Sequence, residues 1–492
     1  MNSLQQLSPI SPVNDSSIVP SVDKTDDTGR MRYRVKSNSY LLYFAQLIIF
    51  TLIVLYSGVS NQGHSVLLLF TILYWAVVTM PILFASMGWI NPLIFQMFFE
   101  IPKALSLACR ATGHIDICKK WIVPIPYDSA VSVYIKCCII TCVGLLIEYC
   151  IMYAVTIKAK EVRIDLKKNR KPLILIVIAG FAMIMLMQGL GGIMNVLNSY
   201  QSRLTEFSED RNLYYRYLIY WGTIPCMYFF LMEDKQMFIL SLLANVFFFF
   251  AIGERGGLII SLGVSLVVVA ILKREKSIRL SRFILSIIVF IFVYEKMGSL
   301  RDNKEISMDD FFDLKIEESA SKFVDAMGNI QHFVISSEVV FNVDNGYIPH
   351  VYGKPLFNIL VAPLPRKLFP WKPTYIADSA LVGSFLLDRD TNVFGLPPGV
   401  FAYGYLNFGW IGVILFSIIC GLFMKWLYVV LVLKYHELGQ SIPYGNIILY
   451  TLTVNSAYTI ISTEAQIKLI MYLTGFLILF ILTRSKGEQE NE

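Results

Sequence analysis

The chain has 492 residues, of which 55% are hydrophobic and only 16% charged, and its 42 Lys and Arg against 36 Asp and Glu give a formal net charge of +6. Too few charges are present to cover a water-soluble protein of this size, so the bilayer is the natural solvent for most of the chain. The basic residues lie in short clusters between apolar runs rather than on one face or tail, which argues against a nucleic-acid binder.

The expected fold is an all-α polytopic membrane protein of about twelve transmembrane helices with one large extracytoplasmic loop. Residues 1–39 read as a cytoplasmic tail, whose Ser/Pro/Asp-rich stretch Met1–Gly29 has too few large apolar groups to fold. It does not read as a secretory signal, because the first apolar core begins only near Tyr40 and is long enough to stay as a helix. A helix needs about 20 apolar residues to cross the hydrocarbon. By that measure, spans fall at 40–58, 66–86, 91–109, 130–155, 172–194, 213–232, 236–253, 257–272 and 283–299. A loop at 300–401 follows, then spans at 402–433, 445–462 and 465–483 and a cytoplasmic tail at 484–492.

The third span is the weakest, since it carries Glu100, Pro102 and Lys103 and on hydropathy alone could be re-entrant or interfacial. Charge decides for a crossing. Lysines and arginines mark cytoplasmic loops, and the clusters at 30–36, 158–171, 273–282 and 484–486 all fall inside only if residues 91–109 cross. Both termini are then cytoplasmic, and the long loop lies outside with the loop around His114, the 195–212 loop and the short Gly253-Glu254-Arg255-Gly256-Gly257 link. Lys119 and Lys120 fall outside, against the rule.

Eight cysteines fall mostly in apolar runs, where a thiol acts as a small hydrophobe; only Cys109 and Cys118 could meet outside the membrane. Lys136 and Glu148 share the fourth span and read as structural, each close enough to a helix end to snorkel.

In the long loop, Ser307 to about Phe341 has helical signatures, with Phe323, Met327 and Ile330 on one side. Such a helix either lies on the membrane or roofs a cavity, or simply packs on its neighbours. Val361-Ala-Pro-Leu-Pro-Arg-Lys-Leu-Phe-Pro-Trp-Lys-Pro373 is held extended by its prolines and presents Arg366, Lys367 and Lys372 beside Trp371. Cations beside an aromatic plane suit an anionic, sugar-containing ligand; a rigid linker touching lipid headgroups fits equally. Arg255 is anchored at fixed depth, either for an anion, in a pair with Glu254 or in contact with lipid headgroups. Arg203 and Arg211 are ambiguous in the same way, with Glu206, Glu209 and Asp210 nearby. Gly404, Gly409 and Gly412 allow close backbone approach, and Asn407 needs a polar partner.

The chain has no phosphate-cradling nucleotide loop, zinc-protease motif or nucleophile elbow, and no metal or other cofactor is expected. The Asp388-Arg-Asp390 triplet is the one place where a divalent ion could be held.

Pro365-Arg366, Pro370-Trp371-Lys372-Pro373 and Tyr405-Leu-Asn-Phe-Gly409 entering a helix resemble the O-antigen polymerase (Wzy) family. Gly191-Gly192 followed by Arg203, the Gly253-Glu-Arg255 link and Asn91-Pro92 extend the likeness along the chain. The resemblance implies a fold related to the C-type membrane glycosyltransferases (GT-C). It also implies that a growing glycan on undecaprenyl diphosphate moves onto the non-reducing hydroxyl of a lipid-linked repeat unit. The expected site is the outer face of a bacterial cytoplasmic membrane. Lipid-linked glycans and the bilayer are the implied partners, with room for a chain-length regulator.

Negative charge develops on the departing diphosphate, so fixed arginines at membrane depth suit the transition state. Arg203, Arg211, Arg255, Arg301 and Arg366 are the candidates, with Lys372, Trp371 and Asn407 as further substrate contacts. His350 and Glu254 are the candidate general bases. Two other functions fit in part. An O-antigen ligase uses the same donor, and His350 or His332 could mimic its catalytic histidine. A lipid-linked oligosaccharide flippase would more often show repeated halves and charges buried at mid-membrane.

Overall fold

A computed structural model describes residues 37–61, 63–87, 91–160, 162–189, 215, 217–251, 257–274, 332–354, 369–371, 378–387, 398–437, 440–457 and 463–484. Every regular element among them is helical. In chain order these are α1 (Ser37–Ser60), α2 (Ser65–Thr79, continued by a 3-10 stretch Met80–Met87), α3 (Pro92–Ala111) and α4 (Tyr127–Ala154). Next come α5 (Leu173–Gly189), α6 (Thr223–Leu231), α7 (Lys235–Ala251), α8 (Ser265–Arg274) and α9 (His332–Asp344). The last are α10 (Asp378–Leu387), α11 (Val400–Tyr428), α12 (Lys434–Glu437), α13 (Tyr444–Ala457) and α14 (Thr463–Thr483).

Six helices are long and apolar enough to cross a membrane: Ser39–Ser60, Ser65–Leu83, Pro92–Ala111, Tyr127–Ala154, Val400–Leu433 and Gln466–Thr483. Four shorter apolar helices, Leu173–Gln188, Tyr217–Leu231, Lys235–Phe249 and Ser261–Lys273, fall on four more of the expected spans. Over the expected span 445–462 the described helix is Tyr444–Ala457, and the span at 283–299 lies outside the described residues. The described residues thus form an all-helical bundle of the membrane-protein class.

The third span forms a helix long enough to cross, and its start is written in the sequence. Asn91 caps it by accepting from the backbone N–H of Leu93 at 3.0 Å, and Pro92 occupies the first turn, where its missing N–H costs nothing. Glu100 and Lys103 do not expel this helix from the bundle because they pair with each other at 2.6 Å.

The loops sort to two ends. At one, His64 donates its backbone N–H to Ala111 (3.0 Å), the Trp121 and Phe341 rings lie 6.2 Å apart, and Ser336 Oγ donates to the carbonyl of Pro398 (2.5 Å). At the other, Gly445 N donates to Ile164 O (3.1 Å) and Asn169 N donates to Tyr228 Oη (2.9 Å). There Lys425 Nζ also donates to the carbonyl of Met152 at 2.7 Å, satisfying an acceptor that the end of α4 leaves free.

Two expectations are corrected. Residues 402–433 are not one straight helix: Phe408 (φ −143°, ψ 23°) and Gly409 (φ 61°, ψ −141°) break α11 into two arms. The chain turns so sharply that a Cβ on Gly412 would collide with the carbonyl of Gly404, whereas residues eight apart in a straight helix are about 12 Å apart along the axis. The second arm with its π-helical continuation, residues 410–433, is still about 36 Å long, enough to cross. Glu148 does not snorkel: it is fully buried, facing Gln96 of α3 inside the bundle. Cys109 and Cys118 are not joined in a disulfide. Burial, then the nearby Asp116 carboxylate, raises the pKa of the Cys118 thiol.

Candidate functional site at the corner of α11

Breaking a helix orphans backbone carbonyls, and the chain supplies donors from the far end of the long loop. Val351 N donates to Leu406 O and Tyr352 N to Asn407 O, both at 3.2 Å. The Asn407 side chain completes the clamp: its Oδ1 accepts from Gly353 N at 2.9 Å, and its Nδ2 donates to the carbonyl of Tyr403 at 2.8 Å. The partner that Asn407 needs is therefore the segment carrying His350.

His350 Nδ1 lies 3.2 Å from the carbonyl oxygen of Leu406. A carbonyl only accepts, so this contact requires the proton on Nδ1 and leaves the lone pair on Nε2. The imidazole is half-buried, with the rings of Tyr352 and Tyr405 centred 5.8 and 6.5 Å away. Tyr405 also meets Trp410 edge-on at 6.1 Å. Tyr352 is 64% exposed and Trp410 40%. This end of the bundle therefore offers aromatic surface beside a basic nitrogen.

Beside this lies a charged pair. Lys136 Nζ meets Asp344 Oδ2 at 2.6 Å, Tyr405 donates its hydroxyl to Asp344 Oδ1 at 2.7 Å, and the ammonium stands 5.0 Å from the centre of the Tyr405 ring. Lys136 thus bridges α4 to the end of α9. The part of the expected loop helix that is described, His332–Asp344, is buried along most of its length and packs on its neighbours; Ser307–Gln331 lies outside the described residues.

Glu338 on α9 is buried and accepts from the backbone N–H of Ile122. Burial lifts its pKa to about 7, an effect partly offset by the N–H groups of Ile122 and Val123.

Of the residues singled out from sequence, His350 and Asn407 come together here. Trp371 is described with its ring edge-on to Phe369 at 5.8 Å and is 65% exposed. Arg203, Arg211, Glu254, Arg255, Arg301, Arg366 and Lys372 lie outside the described residues, as do Asp388 and Asp390. Among the described residues no group of three or more His, Cys, Asp or Glu could hold a metal ion.

Sequence reasoning passed over Asp344, which carries no motif and is brought to the site only by the fold, and Glu338, which the fold sets against the backbone of Ile122. Tyr405 sat inside a quoted motif without a role. Glu100 and Lys103 were seen only as blemishes in a span, although their spacing with Gln96, i, i+4 and i+7, marks one polar face on an apolar helix.

The fold defines an all-helical membrane bundle with a polar, aromatic-lined corner at one end. No family model, no curated protein and no solved structure matches the chain.

Proposed function

We propose that this protein polymerises lipid-diphosphate-linked oligosaccharide repeat units at the outer face of a bacterial cytoplasmic membrane, as a glycosyltransferase with a GT-C-like fold. The observation that carries the reading is the 3.2 Å contact between His350 Nδ1 and the Leu406 carbonyl. With Nδ1 held by the Leu406 carbonyl, Nε2 is an acceptor suited to take the proton of an attacking sugar hydroxyl. The aromatic surface of Tyr352, Tyr405 and Trp410 suits sugar rings, which present apolar C–H faces. Arg203, Arg211, Arg255, Arg301 and Arg366 are the groups that would meet the diphosphate, since guanidinium matches phosphate oxygens two at a time.

The transfer breaks the bond between an anomeric carbon and the diphosphate and forms one from that carbon to the acceptor oxygen. The hydroxyl proton goes to His350, and undecaprenyl diphosphate leaves. Deleting the gene tests the assignment: a strain left with glycans of a single repeat on lipid A core supports the polymerase. Loss of all glycan from the core would identify a ligase, and accumulation of lipid-linked units on the inner face would identify a flippase.

The flippase reading has one observation in its favour, the ionised or ionisable groups Glu100, Lys103 and Glu148 within the spanning helices.

A further inference from the structure

The spanning core holds a second constellation, separate from the α11 corner. On α3, Gln96, Glu100 and Lys103 share a face, and that face looks into the bundle, with Gln96 1% and Glu100 2% exposed. Glu100 is well compensated: the Tyr74 hydroxyl donates to Oε2 at 2.7 Å and Lys103 to Oε1 at 2.6 Å.

Glu148 of α4 is not. It is fully buried, and its hydrogen bond among the described residues comes from the neutral side-chain amide of Gln96. Among the described residues, Oε1 of Glu148, Oε1 of Gln96 and the hydroxyl of adjacent Tyr149 have no hydrogen-bond partner. Two of these are oxygens of the same carboxylate and amide that already touch, so covalent geometry keeps them beside the contact.

Among the described residues the nearby cations are engaged elsewhere. Lys103 is on Glu100, and Lys425 is on the carbonyls of Ile151 and Met152. Farther along α3, Arg110 bonds Ser106 and the carbonyl of Lys119. The charged group facing Glu148 from α3 is Glu100, of like sign; α4 itself offers Tyr149, and Gly421 of α11 packs close to the Glu148 backbone. A carboxylate in such surroundings requires a positive partner.

We propose that Glu148 and Gln96 form a binding site for a small monovalent cation, a proton or a sodium ion, inside the spanning bundle. Sodium would take the unpartnered carboxylate and amide oxygens as ligands; a proton would sit on the carboxylate itself. Transfer from a lipid diphosphate needs no bound ion, so this site stands independently of the function proposed above.

The test uses the full chain in phosphatidylethanolamine and phosphatidylglycerol vesicles, treated with a membrane-permeant carbodiimide, which reacts with protonated carboxyls. Peptide mapping then locates the adduct. Labelling of Glu148 that slows at least tenfold as pH rises from 6 to 9, at fixed potassium and without sodium, identifies a proton. Labelling suppressed by sodium but not by equal potassium at one pH identifies sodium. Absence of any adduct on Glu148 across both series overturns the proposal and leaves the pair as closed packing. As a second measurement, the melting temperature of the wild type should depend on sodium or pH more steeply than that of Glu148→Gln; identical dependence in both proteins would also overturn it.

Discussion

The side chain of Asn407 accepts a hydrogen bond from the backbone N–H of Gly353 at 2.9 Å, tying the corner of α11 to the segment that carries His350. Replacing Asn407 by Leu leaves the Gly353 N–H and the Tyr403 carbonyl without this partner, at a cost of about 1–3 kcal/mol for a buried group. The His350 imidazole would lose its fixed register with Leu406. The expected outcome is a melting temperature lowered by several degrees and glycan chain growth lost. Asn407→Asp keeps the acceptor and gives up only the donor to Tyr403, so it should retain more activity. Full-length glycan ladders from Asn407→Leu at matched expression would remove the clamp from the account.

Gly409 has φ 61° and ψ −141°, a conformation essentially closed to residues with a Cβ. Space is not the obstacle, because an added Cβ would meet only His350 Cε1, at 3.8 Å. Gly409→Ala should therefore destabilise by about 1–3 kcal/mol through the backbone alone, read as reduced thermal stability in detergent. An unchanged melting temperature would mean that the corner relaxes without strain.

Much of this was legible beforehand, and where it was not the reason is physical. The Asn91-Pro92 start of α3 and the small residues Gly404 and Gly412 act through local geometry, which sequence carries. The break at Phe408 was hidden because apolar residues flank it on both sides of Asn407, and hydropathy registers burial, not direction. Asp344 and Glu338 were invisible for a different reason: each matters through a residue more than 200 positions away, Lys136 and Ile122 respectively. Glu148 was misjudged because distance to a helix end was weighed without knowing which face α3 would cover.

Glu338 predicts a pH dependence. Its folded pKa of about 7 lies above the usual 4.5, so the folded state holds the proton more tightly than the unfolded chain. The stabilisation is fully present below pH 4.5 and is lost as pH rises through 7, a total of about 3 kcal/mol for a shift of this size. Glu338→Gln should flatten that part of the stability curve and be more stable than wild type at pH 8. A mutant with the wild-type slope between pH 5 and 8 would assign the slope to other groups.

The topology is testable at Tyr347, which is 71% exposed next to the end of α9. A Tyr347→Cys variant, made with Cys109, Cys118 and Cys150 replaced by Ser, should react with a membrane-impermeant maleimide added outside intact cells. Lys160→Cys in the same background should react only after permeabilisation. The reverse pattern would invert the protein and move the α11 corner to the cytoplasm.

In the proposed reaction His350 and a set of arginines transfer glycan from a lipid diphosphate without nucleotide or metal. Purified protein in vesicles would be given undecaprenyl-diphosphate repeat units alone, in EDTA, and the products sized. The wild type should make polymers of many repeats, and His350→Ala should extend them at least a hundredfold more slowly, as expected for loss of a general base. Repeat units left unjoined by well-folded wild-type protein, or polymer made equally fast by His350→Ala, would contradict the proposal. Activity that returns only with magnesium or manganese would also contradict it and direct attention to Asp388 and Asp390.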